Sequence, residues 1–181
     1  MLTGGPGSGK NTVIEELRRR GYHCVDEVGR QIIKEQVDVG GNALPWGNKR
    51  RFRDLMQERS IETYESVREV SGPVFFDRGM PDLVGYSNLE GIPIGEDLKR
   101  AVDSNRCNSK VFIFPPWERV YKNDTERKQS FEIAIATYEA MVKAYSDIGY
   151  ELRKMPRLKP KRITIWLIQS LANLGETFGT I

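Results

Sequence analysis

A glycine-rich run near the start of the chain, Gly4-Gly5-Pro6-Gly7-Ser8-Gly9-Lys10, matches the G-x-x-x-x-G-K pattern of the Walker A loop, which binds phosphate groups. The glycines of such a loop let the backbone bend, so that successive N–H groups point at phosphate oxygens while the lysine reaches the β- and γ-phosphates. An ordinary glycine-rich turn is the alternative interpretation. The pattern predicts nucleotide binding by Gly5, Pro6, Gly7, Ser8, Gly9, Lys10, Asn11 and Thr12.

The position after the lysine departs from the pattern, because Asn11 stands where the loop has Ser or Thr. In the standard loop this hydroxyl is a direct ligand of Mg²⁺. Asn11 offers a side-chain carbonyl oxygen, which hard cations accept as a ligand, but its side chain is longer. Thr12 is a poor substitute, since a shift of one residue turns a side chain by about 100° around the helix. Phosphate binding is expected to survive, with Asn11 as the loop's candidate Mg²⁺ ligand.

The segments around the loop have the order that phosphate binding requires. Residues 1–3 are suited to an extended strand, and residues 12–20 place Val13, Ile14 and Leu17 on one helix face. Further along, apolar strand segments alternate with helical segments, as in residues 22–25, 74–77, 110–114 and 150–155. This alternation predicts an α/β fold of three layers, in which helices cover both faces of a parallel sheet.

Length, composition and charge limit the possible functions. The 181 residues, 39% hydrophobic and 29% charged, are typical of one soluble globular domain spanning residues 1–181. Without a signal-peptide pattern or a run of about 18 apolar residues, the expected location is the cytoplasm. The net charge of +3 is spread along the chain, so neither nucleic acid nor membrane is the expected partner. Its single histidine, His23, argues against a histidine metal site or a Ser-His triad.

Charged residues follow the ends of several predicted strands, where parallel sheets bind their ligands. Asp77 follows a buried strand and is a candidate to hold Mg²⁺ or to accept a proton from an acceptor hydroxyl. Alternatively, it caps the turn at Gly79 and pairs with Arg78. Arg78 is suited to grip a phosphate or carboxylate, and Glu27 with Arg30 opens the helix after the second strand. We expect substrate binding by Glu27, Arg30 and Arg78, and catalysis by Lys10 and Asp77.

A cation-rich segment follows the fourth predicted strand. Arg119, Lys122, Arg127 and Lys128 surround the turn-forming Asn123-Asp124. Such a segment can close over a nucleotide as a lid, here about residues 116–130, and supply arginine to the transferring phosphoryl group. A solvated, charged helix start explains it almost as well. Under the lid interpretation Arg119 and Arg127 are catalytic, and about residues 173–181 form a C-terminal tail.

Several motifs together resemble a known family. They are GGPGSGK followed by Thr-Val-Ile-Glu-Glu-Leu, then DEVGRQII, NALPW, GPVFFDRG and FPPWERVYKNDTERKQSFE. The chain resembles, up to about Leu171, the small bacterial P-loop proteins that are described as predicted ATPases or kinases. It is more distantly similar to nucleoside monophosphate kinases and nicotinamide riboside kinase domains. The resemblance implies a five-stranded parallel sheet, ATP with Mg²⁺, an acid-arginine pair such as Asp77-Arg78 and an arginine-bearing lid, but it names no acceptor.

Three functions remain open from the sequence. The first is an ATP-dependent phosphotransferase acting with Mg²⁺ on a small nucleoside, nucleotide or similar phosphate acceptor. The second is an ATPase whose acceptor is water. The third is a catalytically weak nucleotide-binding or sensing module, which Asn11 makes more plausible because members of the family that the chain resembles normally carry Thr there.

We predict that Asn11→Thr raises Mg²⁺-dependent ATP turnover, because a hydroxyl ligand replaces the longer amide. Steady-state phosphate release or transfer at saturating Mg²⁺ measures this effect. Equal rates for the two proteins would show that Asn11 is no functional lesion.

Overall fold

The computed structural model describes residues 1–118 and 130–172, which form five strands and seven helices. In chain order these are β1 (Leu2–Gly4), α1 (Lys10–Arg19), β2 (His23–Val25), α2 (Val28–Asp38), α3 (Lys49–Ser66), β3 (Val74–Phe76), α4 (Met80–Glu90), α5 (Glu96–Ser104), β4 (Lys110–Phe114), α6 (Phe131–Asp147), β5 (Glu151–Lys154) and α7 (Pro160–Ala172). Most of the predicted lid and the tail from residue 173 lie outside the described residues.

The strands are parallel and follow the spatial order β2-β3-β1-β4-β5. Strands β1, β4 and β5 form one sheet and β2 and β3 form another. The two sheets meet through a parallel bridge between Leu2 and Asp77, where the N–H of Arg78 donates to the Leu2 carbonyl at 2.8 Å. This order confirms the predicted parallel α/β fold. Because it reverses at β1, the loops after β1 and β3 flank the switch point at which such sheets bind ligands.

Alternating residues of the strands face two apolar layers. Leu2, Phe75 and Phe112 pack on one face with Leu17 of α1 and Leu167 of α7. The residues between them pack on the other face with α3 and α6, in a cluster that includes Phe76, Val111, Ile113, Tyr64 and Tyr145. A period of two in a strand sends neighbours to opposite faces, so both faces of the sheet are covered. A third apolar cluster joins α4 to α5.

In the part of the chain that the structure describes, no helix combines the length and apolar character that crossing a membrane requires.

We expect Phe112→Ala to lower the free energy of unfolding by about 3–5 kcal/mol, the usual cost of truncating a buried phenylalanine. Phe112 is 2% exposed and stands edge-on to Trp166, with ring centres 6.2 Å apart. Denaturant unfolding measures the loss. Ile165→Ala, at an exposed position of α7, is the control and should change stability by less than about 0.5 kcal/mol; equal losses in both variants would contradict the placement of Phe112 in the core.

Candidate functional site

The loop between β1 and α1 has the backbone geometry of a phosphate cradle. Gly4, Gly7 and Gly9 have positive φ angles of 136°, 69° and 90°, which favour glycine. A β-carbon at Gly5 would lie 2.4 Å from the carbonyl oxygen of Ala134, so the loop backbone packs too closely for a side chain there. No described side chain caps the start of α1, which leaves the N-terminal N–H groups of this helix without a capping partner.

Lys10 lies at the base of this loop, with only 4% of its surface exposed. Its Nζ donates to the carbonyl oxygens of Gly4 at 3.4 Å and Gly5 at 3.3 Å, which are long distances for hydrogen bonds. Burial lowers the pKa of Lys10 and nearby Arg78 lowers it further, against the opposing effect of Asp77. An anionic ligand in the loop would favour the charged form of this lysine.

Asp77 follows β3 at the same edge of the sheet. It is 6% exposed, and its Oδ1 has no hydrogen-bond partner among the described residues. Burial raises the pKa of Asp77, and the Glu27 carboxylate adds to this effect, although Lys10 and Arg78 oppose it. Burying a carboxylate oxygen without a partner costs free energy. A cation or a hydroxyl proton bound at this oxygen would remove that cost.

Arg78 is held in place by two acidic groups. Its Nε donates to Glu27 Oε1 at 2.8 Å and its Nη1 donates to Asp82 Oδ1 at 3.0 Å. Its φ of 72° is unusual for a residue other than glycine, and backbone strain of this kind is concentrated at functional sites. The contacts fix the guanidinium at the wall of the site.

Asp82 is the centre of this network, although the sequence did not predict it as a site residue. Its Oδ1 accepts from Thr3 Oγ1 at 2.6 Å as well as from Arg78, and its Oδ2 accepts from Tyr145 Oη at 2.5 Å and from the N–H of Gly79 at 3.0 Å. Asp82, and not Asp77, therefore caps the turn at Gly79. The signal available in the sequence was the Pro-Asp pair just after this glycine, which is typical of a helix start.

The amide of Asn11 faces the guanidinium of Arg30. An amide NH₂ group and a guanidinium are both hydrogen-bond donors and cannot pair with each other. The hydrogen-bond network therefore assigns the amide oxygen of Asn11 to the side that faces Arg30. It then accepts from Arg30 Nη1 at 2.9 Å and from Nη2 at 3.2 Å. Arg30 Nη2 also lies 3.9 Å from Glu27 Oε2.

These residues line one large cleft, which lies between loop residues 6–12, the start of α2, the end of β3, and helices α3 and α4. Its volume is about 1590 Å³, whereas single ligand pockets span ~300–1000 Å³. Apolar side chains of α3 and α4, including Phe52, Met56, Leu83 and Tyr86, also line the cleft. The cleft has room for two ligands side by side.

A family model described as an AAA domain matches residues 1–161. The chain belongs to the AAA domain family. Among solved structures, this AAA domain chain is similar to shikimate kinase from Aquifex aeolicus vf5 (19% identity, TM-score 0.51, covering 97% of each chain). It is also similar to deoxyadenosine kinase from M. mycoides with bound dATP (13% identity, TM-score 0.51, covering 94% of this chain and 97% of that chain). No curated protein sequence matches it. The structural likeness confirms the predicted P-loop kinase-like fold.

Most of the residues predicted for the site lie together in the AAA domain structure. Residues 6–12 of the loop line the cleft, as do Glu27, Arg30, Asp77 and Arg78. Gly5 packs behind the loop against Ala134. Arg119 and Arg127 lie outside the described residues, so their catalytic role stays a prediction.

The residues present fit the phosphates of ATP. Ser8 Oγ is buried without a partner among the described residues, and it lies in the same loop as Lys10 and the uncapped start of α1.

Fewer of the residues present are suited to bind Mg²⁺. Asp77 offers an unpartnered oxygen, whereas the oxygen of Asn11 is engaged by Arg30. In the described ranges no group of three His, Cys, Asp or Glu side chains is arranged to hold a metal, so Mg²⁺ would need oxygens from phosphate and water as well.

Glu27→Gln should make the stability of the fold less dependent on acidic pH. Burial tends to raise the pKa of Glu27, but the cations Arg78, Lys10 and Arg30 outweigh it and lower the pKa from 4.5 to about 2. The ionised carboxylate therefore stabilises the fold above about pH 4.5, and this contribution is lost as the pH falls towards 2. In urea unfolding at pH 6 and pH 3, the advantage of wild type over Glu27→Gln should shrink at the lower pH. An equal difference in unfolding free energy between wild type and Glu27→Gln at pH 6 and pH 3 would contradict this role of the ionised carboxylate. The control Glu139→Gln, at an exposed position, should be as stable as wild type at both pH values.

Proposed function

We propose that this AAA domain protein is an ATP-dependent phosphotransferase that acts with Mg²⁺ on a small acceptor, such as a nucleoside or nucleotide. The observation that carries the proposal is the buried Oδ1 of Asp77, which has no hydrogen-bond partner in residues 1–118 and 130–172 and lies in a cleft with the phosphate loop and room for a second ligand. The expected cytoplasmic location, the single domain of residues 1–181 and the lid about residues 116–130 belong to this proposal.

The loop would bind the nucleotide. Its backbone N–H groups and Ser8 Oγ would donate to phosphate oxygens, and the Lys10 ammonium would turn from the Gly4 and Gly5 carbonyls towards the β- and γ-phosphates. A hydrogen bond between the buried ammonium and an anionic phosphate is stronger than one to a neutral carbonyl, which favours this change of partner. Gly5, Pro6, Gly7, Gly9, Asn11 and Thr12 complete the binding loop.

Asp77 would act at the reacting atoms. Phosphoryl transfer breaks the bond between the γ-phosphorus and the β–γ bridging oxygen and forms a bond from the acceptor oxygen to the γ-phosphorus. The proton of the acceptor hydroxyl would pass to Asp77, whose raised pKa suits a base. The alternative role of Asp77 is to hold Mg²⁺, directly or through water, and the bound metal would supply positive charge that neutralises the phosphate oxygens.

The acceptor would lie between Glu27 and Arg78. Because Glu27 and Asp82 fix the Arg78 guanidinium, a phosphate or carboxylate of the acceptor would meet a preorganised cation at little entropic cost. Glu27 would contact the acceptor from the start of α2. Arg30, which the sequence also predicts as a substrate-binding residue, lies beside it. Arg119 and Arg127 would stabilise the transition state from the lid.

A nucleotide-binding module with weak turnover is the second candidate. The contact between Asn11 and Arg30 favours it, because it engages the oxygen at the position where the standard loop coordinates Mg²⁺. Calorimetry that finds tight ATP binding without turnover at saturating Mg²⁺ would select this candidate. Phosphate release that no small acceptor diverts would instead select an ATPase.

Asp77→Asn should lower phosphoryl transfer by about 100-fold or more, because the amide cannot accept the proton, while ATP binding persists. The measurement follows labelled γ-phosphate from ATP into acceptors, which are first chosen by a thermal-shift screen of nucleosides and nucleotides with an ATP analogue and Mg²⁺. Lys10→Met should weaken nucleotide binding itself.

The exposed Asp103→Asn variant on α5 is the matched control and should transfer phosphate at the wild-type rate. Wild-type transfer by Asp77→Asn would show that the role given to Asp77 is wrong.

A further inference from the structure

The residue that departs from the loop pattern contacts an arginine from another element. Asn11 is the second residue of α1, and Arg30 is the third residue of α2. One amide oxygen accepts from both terminal nitrogens of the guanidinium, at 2.9 Å and 3.2 Å. The same Nη2 lies 3.9 Å from Glu27 Oε2, which is beyond hydrogen-bond distance. The Asn11 amide oxygen therefore positions the guanidinium, with the Glu27 carboxylate nearby.

This pairing changes what the Asn11 oxygen can do. An oxygen that already accepts two hydrogen bonds from a cation is a poor site for a divalent ion, because the guanidinium and the metal would repel each other at short range. An arginine side chain carries a positive charge, and its planar fork suits phosphate oxygens. The two residues line the same cleft as Lys10, and half of the Arg30 side chain is exposed, so a ligand can reach the guanidinium.

We propose that Asn11 is a positioning residue for Arg30 rather than a ligand of Mg²⁺, and that Arg30 supplies a permanent positive charge to the bound nucleotide phosphates. The inference rests on the proposed nucleotide binding and adds a consequence to it. Part of the charge neutralisation that a standard loop obtains from Mg²⁺ comes here from a side chain, so nucleotide binding is only weakly dependent on the metal.

Calorimetric titration with AMP-PNP, in EDTA and in excess Mg²⁺, tests the proposal without relying on turnover. Wild type should bind in EDTA with an affinity within about tenfold of that in Mg²⁺. Arg30→Met should weaken binding in EDTA by about tenfold, as expected for the loss of one charge-assisted hydrogen-bonded contact, and should have less effect in Mg²⁺. Asn11→Ala should produce a loss of similar size, and the double variant should lose no more than Arg30→Met alone, since Asn11 acts through Arg30.

Matched variants control the comparison. Arg50→Met removes an exposed arginine of α3 outside the cleft and should bind as wild type does. Asn11→Thr should make binding more dependent on Mg²⁺, because a hydroxyl ligand is restored while the anchor of Arg30 is lost. Thermal unfolding of each variant verifies that the fold is retained.

Three outcomes would overturn the proposal. Wild-type binding by Arg30→Met in EDTA would remove Arg30 from phosphate binding and leave the proposed function standing. If Mg²⁺ no longer changes the affinity of Asn11→Ala for AMP-PNP but still changes that of Arg30→Met, Asn11 is a metal ligand. Failure of wild type to bind AMP-PNP with or without Mg²⁺ would overturn the proposed function and this inference together.

Discussion

The carboxylate of Asp82 joins the elements on which the site depends. It accepts hydrogen bonds from Thr3 in β1, from Arg78 after β3, from the N–H of Gly79 before α4, and from Tyr145 in α6. The acid is 5% exposed, and removing the partners of a buried charge costs several kcal/mol as a rule. These four contacts therefore hold β1, β3, α4 and α6 together at the Leu2–Asp77 bridge between the two sheets, which is also the switch point where the cleft opens.

Around this carboxylate the charges alternate, and the alternation explains how so many ionisable groups coexist at low exposure. Arg78 lies between Glu27 and Asp82, and both acids keep its pKa raised against the effect of burial. The same arginine helps to keep Glu27 ionised. Burial raises the pKa of Asp77 instead, and among the described residues its Oδ1 has no such direct partner. The two carboxylates therefore differ in their chemistry. Glu27 holds the Arg78 cation, whereas Asp77 is suited to bind a cation or to accept a proton from a ligand.

Much of the architecture was predictable because it depends on local or periodic features. The glycine run required a tight loop, and three apolar residues at helical spacing required a helix directly after it. The apolar run ending in Asp77 predicted a buried strand whose carboxyl end carries an acid, and the structure places it there. The orientation of the Asn11 amide was not predictable, because it depends on Arg30 of the next helix. The importance of Asp82 was hidden for the same reason: one of its partners, Thr3, is 79 positions away along the chain.

The sequence by itself determined the parallel α/β fold and the phosphate loop, since strand and helix periodicity and glycine's access to positive φ act within a few residues. It also determined which acids and cations follow the strands, because parallel strands bring their carboxyl ends to one edge. Only the tertiary structure decided which of these groups pair. Asn11 pairs with Arg30, and Arg78 pairs with Glu27 and Asp82. In the part of the chain that the structure describes, Asp77 keeps one oxygen without a partner. Such pairings depend on ångström-scale distances between separate elements, and those distances are set by how the helices pack on the sheet.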